Sequence, residues 1–140
     1  MEKQSYLSAL ERQFQKSEYI SIAKKSYRMF TAPARTLGEI RLFCFDLKSE
    51  RQSDELLKKL AAYAQSVAFY DGVKKERVYV IALFEGSDLK LKPVRADGAP
   101  VLPCAYDLEK EKLIISESFP LLRRDEFKKL YNFTKNILRI

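Results

Sequence analysis

The segment Glu39-Ile40-Arg41-Leu42-Phe43-Cys44-Phe45-Asp46-Leu47-Lys48 decides the fold, because a nearly continuous apolar run that stops abruptly in charge is the pattern of a strand buried on both faces. Ser53 follows as an N-cap, with Asp54 and Glu55 in the first turn to meet the positive end of a helix dipole. Leu56, Leu57, Leu60, Ala61, Ala64, Val67 and Ala68 then recur at helical spacing as far as Gly72. Val78 to Phe84 is an unbroken apolar run between Arg77 and Glu85, short enough for a central strand rather than a helix. A helix between two such strands permits a βαβ crossover, right-handed if the strands are parallel neighbours.

Toward the N-terminus, Tyr6, Leu7, Leu10 and Phe14 lie at helical spacing and predict a helix over Glu2 to Lys16. Tyr19 to Phe30 carries the β-branched and aromatic types that suit a strand, at an edge given Lys24 and Lys25. Thr31 to Gly38, with Pro33, reads as a turn or short loop. On the other side, Leu89 to Val94 alternates leucine with lysine before Pro93, which confines it to an edge or a strand end. Asp97-Gly98 makes a turn, and Val101 to Asp107 with Leu113 to Ser116 forms a hairpin. Arg124 to Arg139 is an amphipathic helix with Phe127, Leu130, Tyr131, Thr134, Ile137 and Leu138 on one arc. The expected fold is α/β (α+β), a single mixed sheet in the order α-β-β-α-β-β-β-β-α with helices packed on it, one domain over residues 1–140.

Composition removes whole chemistries. The 140 residues include no histidine, which excludes Ser-His-Asp and Cys-His catalysis and any histidine-containing zinc site. Cys44 and Cys104 are too few for a structural zinc site and too far apart for a CxxC pair, and are expected to be small buried hydrophobes. The glycines are isolated, so no Walker A or GxGxxG phosphate loop exists. Asp107, Glu109 and Glu111 could bind a cation only loosely, because intervening lysines cancel their charge. With no long apolar run and no secretory leader pattern, a cytoplasmic location is expected.

The net charge of +7 is concentrated at the two ends. Residues 1–35 carry seven Lys/Arg against three acids, and residues 121–140 carry six against two. Between them the charge nearly cancels, thirteen against fourteen. On the last helix Arg124, Lys128, Lys135 and Arg139 fall within a narrow arc beside the apolar stripe, with Tyr131 on its border. Together with Lys16, Lys24, Lys25 and Arg28 they are the candidate contacts for an acidic partner: a protein, an anionic membrane surface or nucleic acid.

A second candidate lies where the first central strand ends. Asp46-Leu47-Lys48 resembles the acid-x-Lys half of the PD-(D/E)XK nuclease pattern, and the likeness extends over residues 2–85 to the order of segments and to a following helix that carries Gln65. The resemblance implies Asp46 and Glu39 as Mg²⁺ ligands and Lys48, facing the same way on the strand, as the residue that positions or activates water. The family's upstream Pro-Asp is absent, leaving Glu39 as the other carboxylate. Degenerate members of this fold serve as non-catalytic modules, and the segment order is also similar to cytoplasmic N-terminal domains of some bacterial rhomboid proteases. Three functions follow as expectations: a non-catalytic binding or regulatory module with a basic surface and no cofactor; a Mg-dependent nuclease; or a homodimeric adaptor or chaperone-like protein.

Overall fold

The computed structural model describes residues 2–34, 40–48 and 50–138, with the side chains of residues 33 and 34 outside that description. Across these residues the elements are α1 (Lys3–Gln13), β1 (Lys16–Ile22), β2 (Lys25–Ala34), β3 (Ile40–Asp46), α2 (Asp54–Tyr70), β4 (Val78–Glu85), β5 (Val94–Ala96), β6 (Ala99–Asp107), β7 (Lys112–Ile115) and α3 (Arg124–Leu138). The strands form one mixed sheet in the spatial order β1-β2-β3-β4-β6-β5, with β7 also paired to β6. The single mixed sheet with helices on it is thus as the sequence led us to expect.

The βαβ unit sits at its centre. β3 and β4 are parallel neighbours, with Arg41 opposite Val78 and Asp46 opposite Leu83. β4 and β6 are parallel as well, and every other pair is antiparallel. The Ser53 hydroxyl accepts from the Leu56 backbone N–H at 3.2 Å, which satisfies one of the orphan donors at the start of α2.

Side chains alternate across the pleat, so each central strand feeds two cores. Phe43, Phe45 and Leu47, with Val78, Val80, Ala82 and Phe84, pack under Leu57, Leu60, Ala61, Ala64 and Ala68 of α2. Leu42 and Cys44, with Tyr79, Ile81 and Leu83, face the opposite layer, where Tyr6, Leu7 and Leu10 of α1 and Leu130 and Leu138 of α3 cover them. Helices on both faces explain why these strands are apolar without a break from Leu42 to Phe45 and from Val78 to Phe84.

Cys44 and Cys104 are free and fully buried in the layer under α1 and α3. They lie on β3 and β6 with β4 between, so two strand spacings of about 4.8 Å each separate them, beyond the reach of a disulfide. The Cys104 thiol donates to the Ala82 carbonyl at 3.7 Å.

Where boundaries differ, the causes are local. Tyr19 to Phe30 is a hairpin rather than one strand: β1 and β2 pair from Lys16 with Thr31 to Ile22 with Lys25, joined by Ala23 and Lys24. Those two residues take φ of 51° and 67°, the left-handed conformation of a tight hairpin turn. Strand β2 runs on through Thr31 to Ala34, residues expected to be in a loop, and Pro33 lies past the last β1 pair, where proline is tolerated. The first helix stops at Gln13 and Lys16 already belongs to β1. Of Leu89 to Val94 only Val94 enters a strand, the short edge strand β5.

Candidate functional site

Asp46 ends β3 on the face covered by α1, as its alternation with Leu42 and Cys44 requires, and is fully buried. The Lys3 ammonium of α1 donates to Asp46 Oδ1 at 2.8 Å and lies 3.4 Å from Glu85 Oε2 at the end of β4. One lysine therefore bridges two carboxylates at the C-terminal ends of the two parallel strands. The Lys48 backbone N–H reaches Oδ1 at 3.4 Å, and Oδ2 has no hydrogen-bond partner.

Lys48 does not join this cluster through its side chain. β3 ends at Asp46, and Lys48 adopts φ of 50°, so the strand alternation expected to align the two side chains is interrupted. Lys48 is exposed and lines a shallow cavity with Lys25, Tyr27, Glu50 and Arg51, on the side of the sheet covered by α2. Gln65 is directed to the other end of the sheet, where its Nε2 donates to the carbonyls of Lys75 and Asp97, each at 2.9 Å. Glu39 lies outside the described residues. Among those described, no group of three or more Cys, Asp and Glu side chains comes together to hold a metal. The place beside Asp46 that a Mg²⁺ ion would take holds an ammonium group, so the cluster fits an ion-pair network that docks α1 better than a divalent-cation centre. Asp107 is likewise used structurally, its Oδ1 accepting from the backbone N–H groups of Glu109 and Lys110 in the β6–β7 turn.

The basic candidates separate into two groups. Arg28 pairs with Asp46 across β2 and β3, which places the β1–β2 turn, with Lys24 and Lys25, at the C-terminal end of β3. The first turn of α3 lies at the opposite end and edge, since Glu126 is ion-paired with Arg95 of β5, and β5 pairs with the start of β6. The lysines of the β1–β2 turn and the cations at the start of α3 therefore do not build one surface. Arg28 is not a surface contact at all: it is buried, ion-paired with Glu11, and stacked near the rings of Tyr19 and Phe30 at 5.4 and 5.3 Å. Lys25 is paired with Glu50 at 3.1 Å and Lys16 lies 3.7 Å from Glu18.

On α3, Lys128 is exposed and Arg124, also exposed, donates to the Phe119 carbonyl at 3.2 Å. Lys135 leans back over the Tyr131 ring, 5.4 Å from its centre, and lines a cavity of about 330 Å³ between α3 and the β6–β7 hairpin. Arg139 lies outside the described residues. The structure adds Arg123 and Lys129, both exposed, and two leucines that the sequence reading passed over: Leu121 is 86% exposed and Leu122 75%. The readable signal was a leucine pair directly followed by an arginine pair, after Pro120 had ended the preceding segment and outside any periodic stripe. Phe69 and Tyr70, at the end of α2, are the other large side chains exposed as a neighbouring pair.

No family model, no curated protein and no solved structure matches this chain.

Proposed function

We propose that this protein is a non-catalytic binding module that engages an acidic partner through the start of α3. The observation that supports the reading is the cluster of four exposed cations Arg123, Arg124, Lys128 and Lys129 within two helical turns. The acids among them offset it only partly: Glu126 is shared between Arg95 and Arg123, at 3.6 Å from the latter, and Asp125 alone stands against Arg124, Lys128 and Lys129. At the other end of the sheet Lys24 and Lys25 are a separate feature, and Lys25 is neutralised locally by Glu50. The nuclease alternative draws no comparable support, since Asp46 is held by Lys3 and Lys48 turns away from it.

The arginine and lysine side chains emerge from a fixed helix, so they act as a preformed cationic surface whose affinity depends on salt. Arg124→Gln with Lys128→Gln is expected to weaken binding to anionic vesicles about thirtyfold, at about 1 kcal/mol for each cation removed from an anionic surface. Retention on immobilised heparin should fall with it, while the thermal midpoint stays within a few degrees of the parent's. A double variant that is retained on heparin like the parent sinks the proposal.

A further inference from the structure

We infer that the acidic partner is an anionic lipid surface, into which Leu121 and Leu122 insert while the cations behind them meet the headgroups. This rests on the basic-surface reading above and extends it by naming the partner. The segment that leads into α3 divides its apolar side chains between the core and the solvent. Phe119 is tucked in, its ring stacked 6.3 Å from Phe127 and edge-on to Tyr131 at 5.6 Å. Two residues on, both leucines face outward and are among the most exposed large apolar side chains of the described residues.

The protrusion is held in place. Arg124 donates to the Phe119 carbonyl, the Glu126 backbone N–H donates to the Arg123 carbonyl at 3.1 Å, and Glu126 ties the turn to Arg95 on β5. Arg123 takes a left-handed φ of 57°, the abrupt change of direction that lets α3 begin while the leucines point away from the body. A chain that only needed to connect β7 to α3 had no reason to spend two leucines at its apex, and isolated exposed leucines elsewhere would need no explanation.

What surrounds the leucines identifies what they meet. An apolar tip followed in the chain by the exposed cations Arg123, Arg124 and Lys128, the last two on one side of α3, matches an anionic bilayer in both respects, with apolar side chains in the acyl boundary and cations at the phosphates. Nucleic acid would be contacted by the same cations but offers leucine nothing comparable, since stacking on bases uses aromatic rings. The helix geometry also sorts the cations. Lys128 stands about 6 Å along the axis from Arg124, whereas Lys135 is about 16 Å away and rests on Tyr131. The contact therefore uses the first two turns of α3, and Lys135 is a bystander.

The test uses the whole chain with vesicles of phosphatidylcholine and phosphatidylglycerol, vesicles of phosphatidylcholine alone, and immobilised heparin. Leu121→Ser with Leu122→Ser should weaken sedimentation with the anionic vesicles at least tenfold and leave heparin retention unchanged. Both side chains are already in water, so the thermal midpoint should not move. Because the chain has no tryptophan, Leu122→Trp gives a single reporter, whose emission should shift to the blue on anionic vesicles and be quenched by brominated acyl chains. Heparin retention without vesicle binding, or vesicle binding that ignores both leucines, overturns the lipid assignment and leaves the basic surface standing. A parent protein that binds neither heparin nor vesicles overturns the basic surface itself.

Discussion

Replacing Lys3 by methionine is expected to destabilise the fold by about 3 kcal/mol, because it removes the cation that, among the described residues, meets a fully buried Asp46. Methionine keeps most of the aliphatic stem, so the loss reports charge rather than packing. The lower end of the range for breaking a buried pair applies, since the lysine side chain is 26% exposed and water already screens part of the interaction. Asp46→Asn in the Lys3→Met background should recover most of the loss, because asparagine can still accept from the Lys48 backbone N–H and leaves no charge in the sheet. Urea unfolding of the parent, both single variants and the double variant measures the coupling directly. A Lys3→Met midpoint indistinguishable from the parent's, with an unchanged slope, would mean that the ammonium contributes nothing and that α1 is held by its apolar stripe alone.

The same residues show how far a linear reading reaches. Central strands and α2 were legible because burial on both faces and a capped helix each leave a strong local pattern, in Leu42 to Phe45, Val78 to Phe84 and Ser53 to Ala68. Asp46 could be placed at a strand end for the same reason. Its partner could not, since Lys3 is 43 positions away and an exposed-looking lysine on a helix carries no sign of where it will dock. The β1–β2 turn escaped notice because Ala23 and Lys24 adopt the left-handed conformation without the glycine or asparagine that normally announces it. Charge runs were legible as composition but not as surface. Arg28 lies in the same basic stretch as Lys24 and Lys25, yet only its neighbours remain at the surface, because β2 turns it toward Glu11 of α1. The opposite placement of the β1–β2 turn and the start of α3 follows from strand order, which no local pattern contains.

Raising the pH from 9 to 11 is expected to lower the protein's stability by several kcal/mol. Burial pushes the Cys44 and Cys104 thiols well above the ordinary 9.0, and the Tyr6 phenol, stacked on Tyr106 at 4.0 Å, well above the ordinary 10.0. Each group is neutral when protonated, so its raised folded value means that the folded state keeps a proton the unfolded chain has already lost. Below the unfolded value nothing is at stake. Above it, each thiol removes about 1.4 kcal/mol per pH unit for as long as it stays protonated in the fold. Two thiols over two units amount to at most about 5 kcal/mol, reached only where both stay protonated in the fold throughout, and Tyr6 adds up to about 1 kcal/mol between pH 10 and 11, against a total of about 5–15 kcal/mol for a typical domain. All three groups lie in the layer beneath α1 and α3, so that layer should open first, and thiol reactivity should appear together with the loss of near-ultraviolet circular dichroism. Cys44→Ala with Cys104→Ala should be somewhat less stable at pH 7.5 yet lose far less between pH 9 and 11. Urea midpoints across that range decide it, since a double variant that falls as steeply as the parent would assign the alkaline transition to groups other than the buried thiols.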